Sequence, residues 1–236
     1  MGTPVEPESS LRIYYIWLVI QTLVQHFGLR RFDAYLNTCH GNHDDAAALY
    51  VWNVRMSGAA FEAIHVLEVV LRNAIDRELR EWNQQYQGDR DWLKNPHPYL
   101  ETILNEQRSL DVARERARKE IGRRREPLHD DVLAQLNFGS WRFLLPSEAS
   151  VPKQKIWDEA LANSFPHWYG DWRSLVESIH AIYKLRNRIA HLEPIFRTNL
   201  RARRRQILNV LKAIDPSMHA WYLSHDRLLP VIDARP

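Results

Sequence analysis

Arg186, Asn187 and His191 are residue types that together can act on a phosphodiester. A histidine titrates near neutral pH, so His191 can remove the proton of an RNA 2′-hydroxyl or protonate the departing 5′-oxygen. An arginine stays charged, so Arg186 can stabilise the pentavalent phosphorane between these steps. Asn187 can hydrogen-bond the phosphate or orient His191. Because no carboxylate or thiolate cluster lies near these residues, the predicted chemistry is RNA cleavage without a metal or other cofactor.

A predicted helix must position these residues. Its apolar residues recur at intervals of three and four and form one stripe, which consists of Leu175, Ile179, Ile182, Leu185 and Ile189. A second stripe is offset from the first and consists of His180, Tyr183, Asn187 and His191. The helix ends or kinks at Glu193, because the residue before a proline is pushed out of the α region. Tyr183 and Glu193 are therefore expected to support the site.

The spacing of Arg186 and His191 limits what a single helix can do. They are five positions apart, so they lie about 140° apart around the helix axis. One helix does not easily aim both side chains at one atom, whereas two copies related by a two-fold axis can. The spacing therefore predicts a homodimer with a shared site. Since arginine, asparagine and histidine are common on polar helix faces, the spacing alone leaves a purely structural role open.

The rest of the sequence predicts an all-α fold. The 236 residues include only 8 glycines, long stretches lack turn signals, and no strand-like alternation persists. One helix is expected from Ala46 to about Trp82, and a heavily charged helix from Leu100 to about Ile121. The predicted organisation is a disordered tail at 1–10, an apolar helix at 11–29, a helical bundle at 30–215 that ends in a basic helix, and a tail at 216–236.

The apolar segment at 11–29 requires a test for membrane insertion. Residues 13–29 contain no lysine, arginine, aspartate or glutamate. A spanning helix needs about 20 mostly apolar residues, and polar side chains interrupt this segment early. The interruptions are Gln21, Thr22, Gln25 and His26. A helix in the core or in a dimer interface is favoured over membrane association.

Cys39 is the only cysteine, which excludes an intrachain disulfide and favours a reducing cytoplasm. Cys39 lies close in sequence to His40, His43 and Asp44, and all four are residue types that can ligate a metal ion. A zinc site usually has four such ligands, and no second ligand pair follows. These residues are therefore predicted to form a polar loop.

Glu68, Arg72 and Asn73 form a polar group inside the otherwise apolar long helix. Glu68 and Arg72 are four residues apart and can pair on one helix face. The group is either a buried ion pair or a support for the catalytic helix. In the second case Arg186 or His191 is the expected partner of Glu68, because a buried charge needs a partner.

Arginines that follow the run from Arg186 to His191 are candidates for binding an RNA backbone. Phosphate contacts of this kind give salt-sensitive affinity that does not depend on sequence. A solvated helix face without an RNA role is the competing interpretation. The candidate RNA-binding residues are Arg188, Arg197, Arg201, Arg204 and Arg205.

The segment from Leu185 to Phe196 resembles the C-terminal signature of the Abi-like (abortive infection, AbiD/AbiF-type) proteins of the HEPN superfamily. Two further blocks are similar to that family. The first consists of segments 48–53 and 67–75, which are similar to the family's long helix. The second is the segment 132–141 with Leu144 and Leu145, which is similar to its mid-chain block. The three blocks occur in the family's order across residues 31–196.

The resemblance implies a helical, dimeric ribonuclease of phage-defence or toxin type, with Arg186 and His191 as its catalytic pair. Many relatives have a second histidine where this chain has Leu192. A non-catalytic RNA-binding module on the same fold, holding a partner RNA or an antitoxin, is the alternative function. A protein-interaction scaffold with a structural polar face is a third.

Overall fold

The computed structural model describes residues 28–106 and 108–236, together with Thr22, Gln25 and His26. These residues form helices, turns and loops, and no strand occurs among them, which confirms the predicted all-α class. The helices in chain order are α1 (Leu29–Thr38), α2 (His43–Gln87), α3 (Pro98–Glu106), α4 (Ser109–Ile121), α5 (His129–Gln135), α6 (Phe138–Leu144), α7 (Val151–Glu159), α8 (Trp172–Ala190), α9 (Leu200–Ile214), α10 (Pro216–His225) and α11 (Leu228–Asp233), with a 3₁₀ turn at Leu161–Ser164 between α7 and α8.

The long helix α2 has clear start and stop signals. The Oδ1 atom of Asn42 accepts hydrogen bonds from the backbone N–H groups of Asp44 and Asp45, which caps the first turn. Those two carboxylates also complement the positive end of the helix dipole. Gly88 ends the helix in the left-handed region at φ 72°, a conformation that glycine adopts without a side-chain clash. The 45 residues between these caps span about 67 Å.

Helix α2 is the central element of the bundle. Its buried apolar residues pack against α1, α6, α8, α9, α11 and the 3₁₀ turn. The buried residues on this face include Met56, Ala60, Ile64, Leu67, Leu71, Ile75 and Leu79. Removing such side chains from water is the main stabilising contribution to a fold of this kind. A single helix thus supplies the surface on which the elements of the candidate site are placed.

Two regions differ from the sequence prediction. The segment 100–121 was expected as one helix but forms α3 and α4. The segment 216–236 was expected as a tail but forms α10 and α11, which bury Tyr222 and Leu228. The indole N–H of Trp52 donates to the carbonyl of Val231 at 2.6 Å and so ties α11 to α2. Both C-terminal helices are short, and short helices depend on tertiary contacts that a local pattern does not reveal.

The predicted disordered tail at 1–10 and most of the apolar segment at 11–29 lie outside the described residues. Within the part of the chain that the structure describes, no helix combines the length and apolar character needed to cross a membrane.

Candidate functional site

Helix α8 carries the residues predicted to be catalytic, and the sequence defines both of its ends. Asp171 caps the start by accepting a hydrogen bond from the backbone N–H of Arg173 at 2.9 Å. At the other end, the N–H of Glu193 donates to the carbonyl of Arg188, and the N–H of Leu192 donates to the carbonyl of Ile189. This pair of bonds is a Schellman motif. Its left-handed position is usually a glycine, and here it is Leu192 at φ 57°.

Asn53 on α2 holds the chain that leaves this turn. Its Oδ1 atom accepts hydrogen bonds from the backbone N–H groups of Ile195 and Phe196, at 2.9 and 3.1 Å. The side chain is buried, so the two donors have no access to water as a substitute. Asn53 therefore positions the segment directly after His191, and the first and last of the three resembling blocks are joined by these bonds.

Arg186 lies on the partly buried flank of α8, beside Glu68 of α2. Burial raises the pKa of Glu68, and this effect outweighs the opposing influences of the Arg186 guanidinium, the Phe138 backbone amide and Arg72. The Nε atom of Arg186 is buried and has no hydrogen-bond partner among the described residues. A buried donor without a partner is rare in folded proteins. The arginine thus keeps hydrogen-bonding capacity that the fold does not use.

The polar group of α2 that consists of Glu68, Arg72 and Asn73 does not form the Glu68–Arg72 pair that the spacing allows. No ion pair joins Glu68 to Arg72 among the described side chains, and the Arg72 Nε atom donates weakly to Asn73 at 3.5 Å. Glu68 faces α8 and α6, where Arg186 and the Phe138 amide are its neighbours. Of the two partners anticipated for Glu68, the structure places Arg186 beside it.

Tyr183 fills the contact between α8 and α6. Its ring stacks on Phe138 with centroids 6.2 Å apart, and the guanidinium of Arg142 lies 5.7 Å from its centre. Gly139 allows this approach, because a Cβ atom there would lie 3.4 Å from the Tyr183 ring and 2.8 Å from Asn137 Oδ1. The mid-chain block therefore packs directly on the helix that carries Arg186 and His191.

His191 is the exposed residue at the C-terminal cap of α8. No hydrogen bond or ion pair joins it to Arg186 within the part of the chain that the structure describes. Asn187 lies one turn before His191 and shares its face, whereas Arg186 turns toward Glu68. One chain thus brings Asn187 and His191 to one surface and leaves Arg186 on another flank of the helix.

The predicted RNA-binding arginines do not form one surface. Arg204 pairs with the buried Asp226, and Arg201 pairs with Asp233, so both hold the C-terminal helices in place. Arg197 donates to the Thr38 hydroxyl at 3.2 Å.

The other two candidates differ from each other. Arg188 donates to the Pro194 carbonyl at 2.7 Å and lies 3.5 Å from Glu193. Arg205 is exposed, with no polar partner among the described residues. The structural roles of Arg201 and Arg204 were not visible in the sequence, because their partners lie 32 and 22 residues away, respectively.

Two residues of this region were not selected from the sequence. The position of Asn53 could have indicated a buried polar role, because it is an asparagine within the apolar pattern of the long helix. Nothing in the sequence indicated the role of Arg142, since its position over Tyr183 depends on how α6 packs against α8. No group of three or more histidine, cysteine, aspartate or glutamate side chains among the described residues is arranged to hold a metal ion.

Comparison of the chain with known protein families, with curated proteins and with solved structures finds no match in any of the three.

Proposed function

We propose that the protein is an endoribonuclease that cleaves RNA through attack of the 2′-hydroxyl, at a site shared between two copies of the chain. The environment of Arg186 is the main support for the proposal. Its side chain is half-buried, its Nε atom is a buried donor without a hydrogen-bond partner among the described residues, and Glu68 lies beside it. An arginine held in this way is suited to a phosphate oxygen that gains charge during a reaction.

The proposed mechanism uses three side chains. His191 takes the proton of the 2′-hydroxyl as its oxygen attacks the neighbouring phosphorus. Arg186 stabilises the phosphorane, and Asn187 hydrogen-bonds the phosphate. The bond from phosphorus to the 5′-oxygen then breaks, and that oxygen takes a proton from the imidazolium of His191, which returns to its neutral form. The products are a 2′,3′-cyclic phosphate and a 5′-hydroxyl end.

A second copy of the chain is needed because Arg186 and His191 do not converge within one chain. An exposed apolar stripe on α2 offers a surface for that contact, and exposed apolar patches commonly mark interfaces. Val51, Val54 and Phe61 lie on the stripe, and Leu192 extends it to the end of α8. The proposed dimer would place the stripe, and therefore the ends of both α8 helices, at the interface.

The catalytic assignment is tested by comparing wild type with Arg186→Ala and His191→Ala on purified RNA. Both variants are expected to reduce cleavage by at least about 100-fold, because each removes a group that acts in the transition state. Arg77→Ala and His219→Ala remove the same residue types elsewhere and are expected to retain activity. Absence of cleavage by wild type, or equal cleavage by all variants, would refute the proposal.

The shared site is tested by mixing the two inactive variants under conditions that allow subunit exchange. A mixed dimer retains Arg186 from one copy and His191 from the other, so cleavage should exceed that of either variant alone. If mixing restores nothing although both variants dimerise, the two residues do not act across the interface.

The alternative is an RNA-binding module without catalysis, in which the same face holds a partner RNA. It would bind RNA through the surface beside His191 and leave it intact. Binding measured together with cleavage distinguishes the two functions.

A further inference from the structure

A small pocket lies between α8 and the start of α9, on the same side of α8 as His191. It has a volume of about 200 Å³. The residues that line it are His180, Ala181, Lys184, Leu185, Arg188, Thr198 and Arg203. Three of them are cations and none is an aspartate or glutamate. From this arrangement we infer that the pocket binds a phosphate group of a single-stranded RNA, next to the phosphate that is cleaved.

Two of the three cations of the pocket, Lys184 and Arg203, have no acidic partner among the described residues. Lys184 is exposed and forms no hydrogen bond or ion pair with any described residue. Arg188 also lines the pocket, but it donates to the Pro194 carbonyl and lies 3.5 Å from Glu193, so its charge is partly compensated. Arg203 donates to Gln206 on the next turn of α9, and this contact leaves its charge uncompensated. A guanidinium beside an exposed ammonium is a suitable pair for phosphate oxygens.

Two uncharged groups complete the pocket. The Nδ1 atom of His180 is buried and has no hydrogen-bond partner among the described residues. Its ring is stacked on Tyr183, with the two ring centroids 6.4 Å apart. Thr198 adds a hydroxyl just before the first turn of α9, where the helix dipole also favours an anion. A phosphate group would therefore meet hydrogen-bonding groups as well as charge.

The electrostatic environment of His180 agrees with a positive pocket. Burial lowers the pKa of His180, and the nearby charges of Arg142 and Lys184 lower it further. Both effects favour the neutral form of the imidazole, and an anion in the pocket would offset the repulsion that the cations exert on one another.

The position of the pocket relates it to the proposed cleavage site. Lys184 and His191 are seven residues apart on α8, which corresponds to about 10 Å along the helix axis and nearly the same face. A strand whose reacting phosphate lies at His191 can thus place a neighbouring phosphate near Lys184. The inference rests on the proposed function, and it adds the subsite that fixes the register of the strand.

The test measures binding of a short 2′-O-methylated single-stranded RNA, which resists cleavage by a 2′-hydroxyl mechanism. Lys184→Gln and Arg203→Gln are expected to weaken binding about 10-fold each and to reduce the salt dependence by about one phosphate contact. Lys212→Gln is the matched control, because Lys212 is an exposed lysine at the far end of α9. Its affinity should stay within about two-fold of wild type.

Other results would overturn the inference. It fails if wild type does not bind this RNA, or if Lys184→Gln and Arg203→Gln bind it as tightly as Lys212→Gln. A parallel titration with inorganic phosphate, followed by NMR of the His180 imidazole, examines a free anion as the occupant. A response to phosphate without any effect of Lys184→Gln on RNA binding would reassign the pocket to free phosphate. If binding depends on Lys184 but no natural RNA is cleaved, the subsite stands and the ribonuclease proposal fails.

Discussion

Leu192 occupies a backbone conformation that suits glycine, immediately after the histidine proposed to be catalytic. Its side chain is 71% exposed, so little burial compensates for the strain of a left-handed leucine. Strained residues of this type often lie at functional sites, where surrounding contacts hold them. Here the Asn53 hydrogen bonds and the Schellman bonds hold the turn. The side chain also extends the apolar stripe of α2, which gives a reason for a leucine at this position.

Leu192→Gly tests this strain. The substitution is expected to raise the free energy of unfolding by about 1 kcal/mol, because glycine adopts positive φ without a Cβ clash. Ala190→Gly, two residues earlier at an exposed helical position, should lower it by a similar amount. Urea unfolding of both variants gives the comparison. Destabilisation by both substitutions would show that Leu192 is not strained.

Asn53→Leu tests the support of the turn from α2. It leaves two buried backbone donors without an acceptor and is expected to cost about 2–4 kcal/mol of stability. Asn53→Asp keeps an oxygen in the same place and should cost less. Chemical denaturation measures both, and equal losses in the two variants would contradict the role assigned to the Oδ1 atom.

At the scale of elements, the contact between α6 and α8 depends on a glycine. A Cβ atom at Gly139 would displace the Asn137 side chain, which caps α6 by accepting from the Gly139 N–H at 2.8 Å. It would also press on Tyr183. The contact is therefore sensitive to a single methyl group.

Gly139→Ala is expected to lower the free energy of unfolding by about 1 kcal/mol, the usual cost of a lost helix cap. Gly58→Ala is the control, since Gly58 lies in the exposed face of α2 with open space around it. That variant should gain roughly 0.5–1 kcal/mol from helix propensity. Thermal unfolding of the two proteins should shift in opposite directions, and a shift in the same direction would contradict the proposed clash.

A charged cluster joins α2, α5 and the loop after α2. The two ring nitrogens of His129 contact Asp76 at 2.7 Å and Asp91 at 2.8 Å. Asp76 also accepts from the Trp92 indole and pairs with Arg80, which in turn contacts Asp130. Although burial opposes the charged form of His129, these carboxylates raise its pKa above the ordinary 6.5. The partners of Asp76 lower its pKa despite burial.

His129→Gln tests this cluster through its pH dependence. A raised histidine pKa contributes stability that is complete below 6.5 and is lost as pH rises through the folded value. The variant should therefore cost about 2 kcal/mol at pH 5.5 and less at pH 9. His40→Gln, at an exposed histidine, is the control. A cost for His129→Gln that is constant or increases with pH would contradict the assignment.

At the scale of the whole molecule, the dimer prediction concerns the apolar stripe of α2. Phe61→Glu introduces a charge into that stripe and is expected to convert a dimer to a monomer, as measured by light scattering at micromolar concentration. Val151→Glu places the same charge on an exposed apolar residue of α7 and should leave the mass unchanged. A wild-type protein that is strictly monomeric would remove the basis for the shared site.

Much of the fold could be predicted from local patterns. The apolar stripe of α8 and the stop at Pro194 each involve residues within about four positions of one another. The split between α3 and α4 and the packing of the two C-terminal helices were not predicted, because these short helices lack a strong pattern of their own.

For the residues from Arg186 to His191, some features follow from the local sequence and others only from the tertiary structure. The sequence by itself determined a helix that carries Arg186, Asn187 and His191 and separates the first from the last by about 140°, since helix geometry follows from residue number. Only the tertiary structure decided that Arg186 faces Glu68, and that Asn53 holds the turn from 142 residues away. The physical reason is that a side chain's partner is selected by packing between distant helices, which no local periodicity contains.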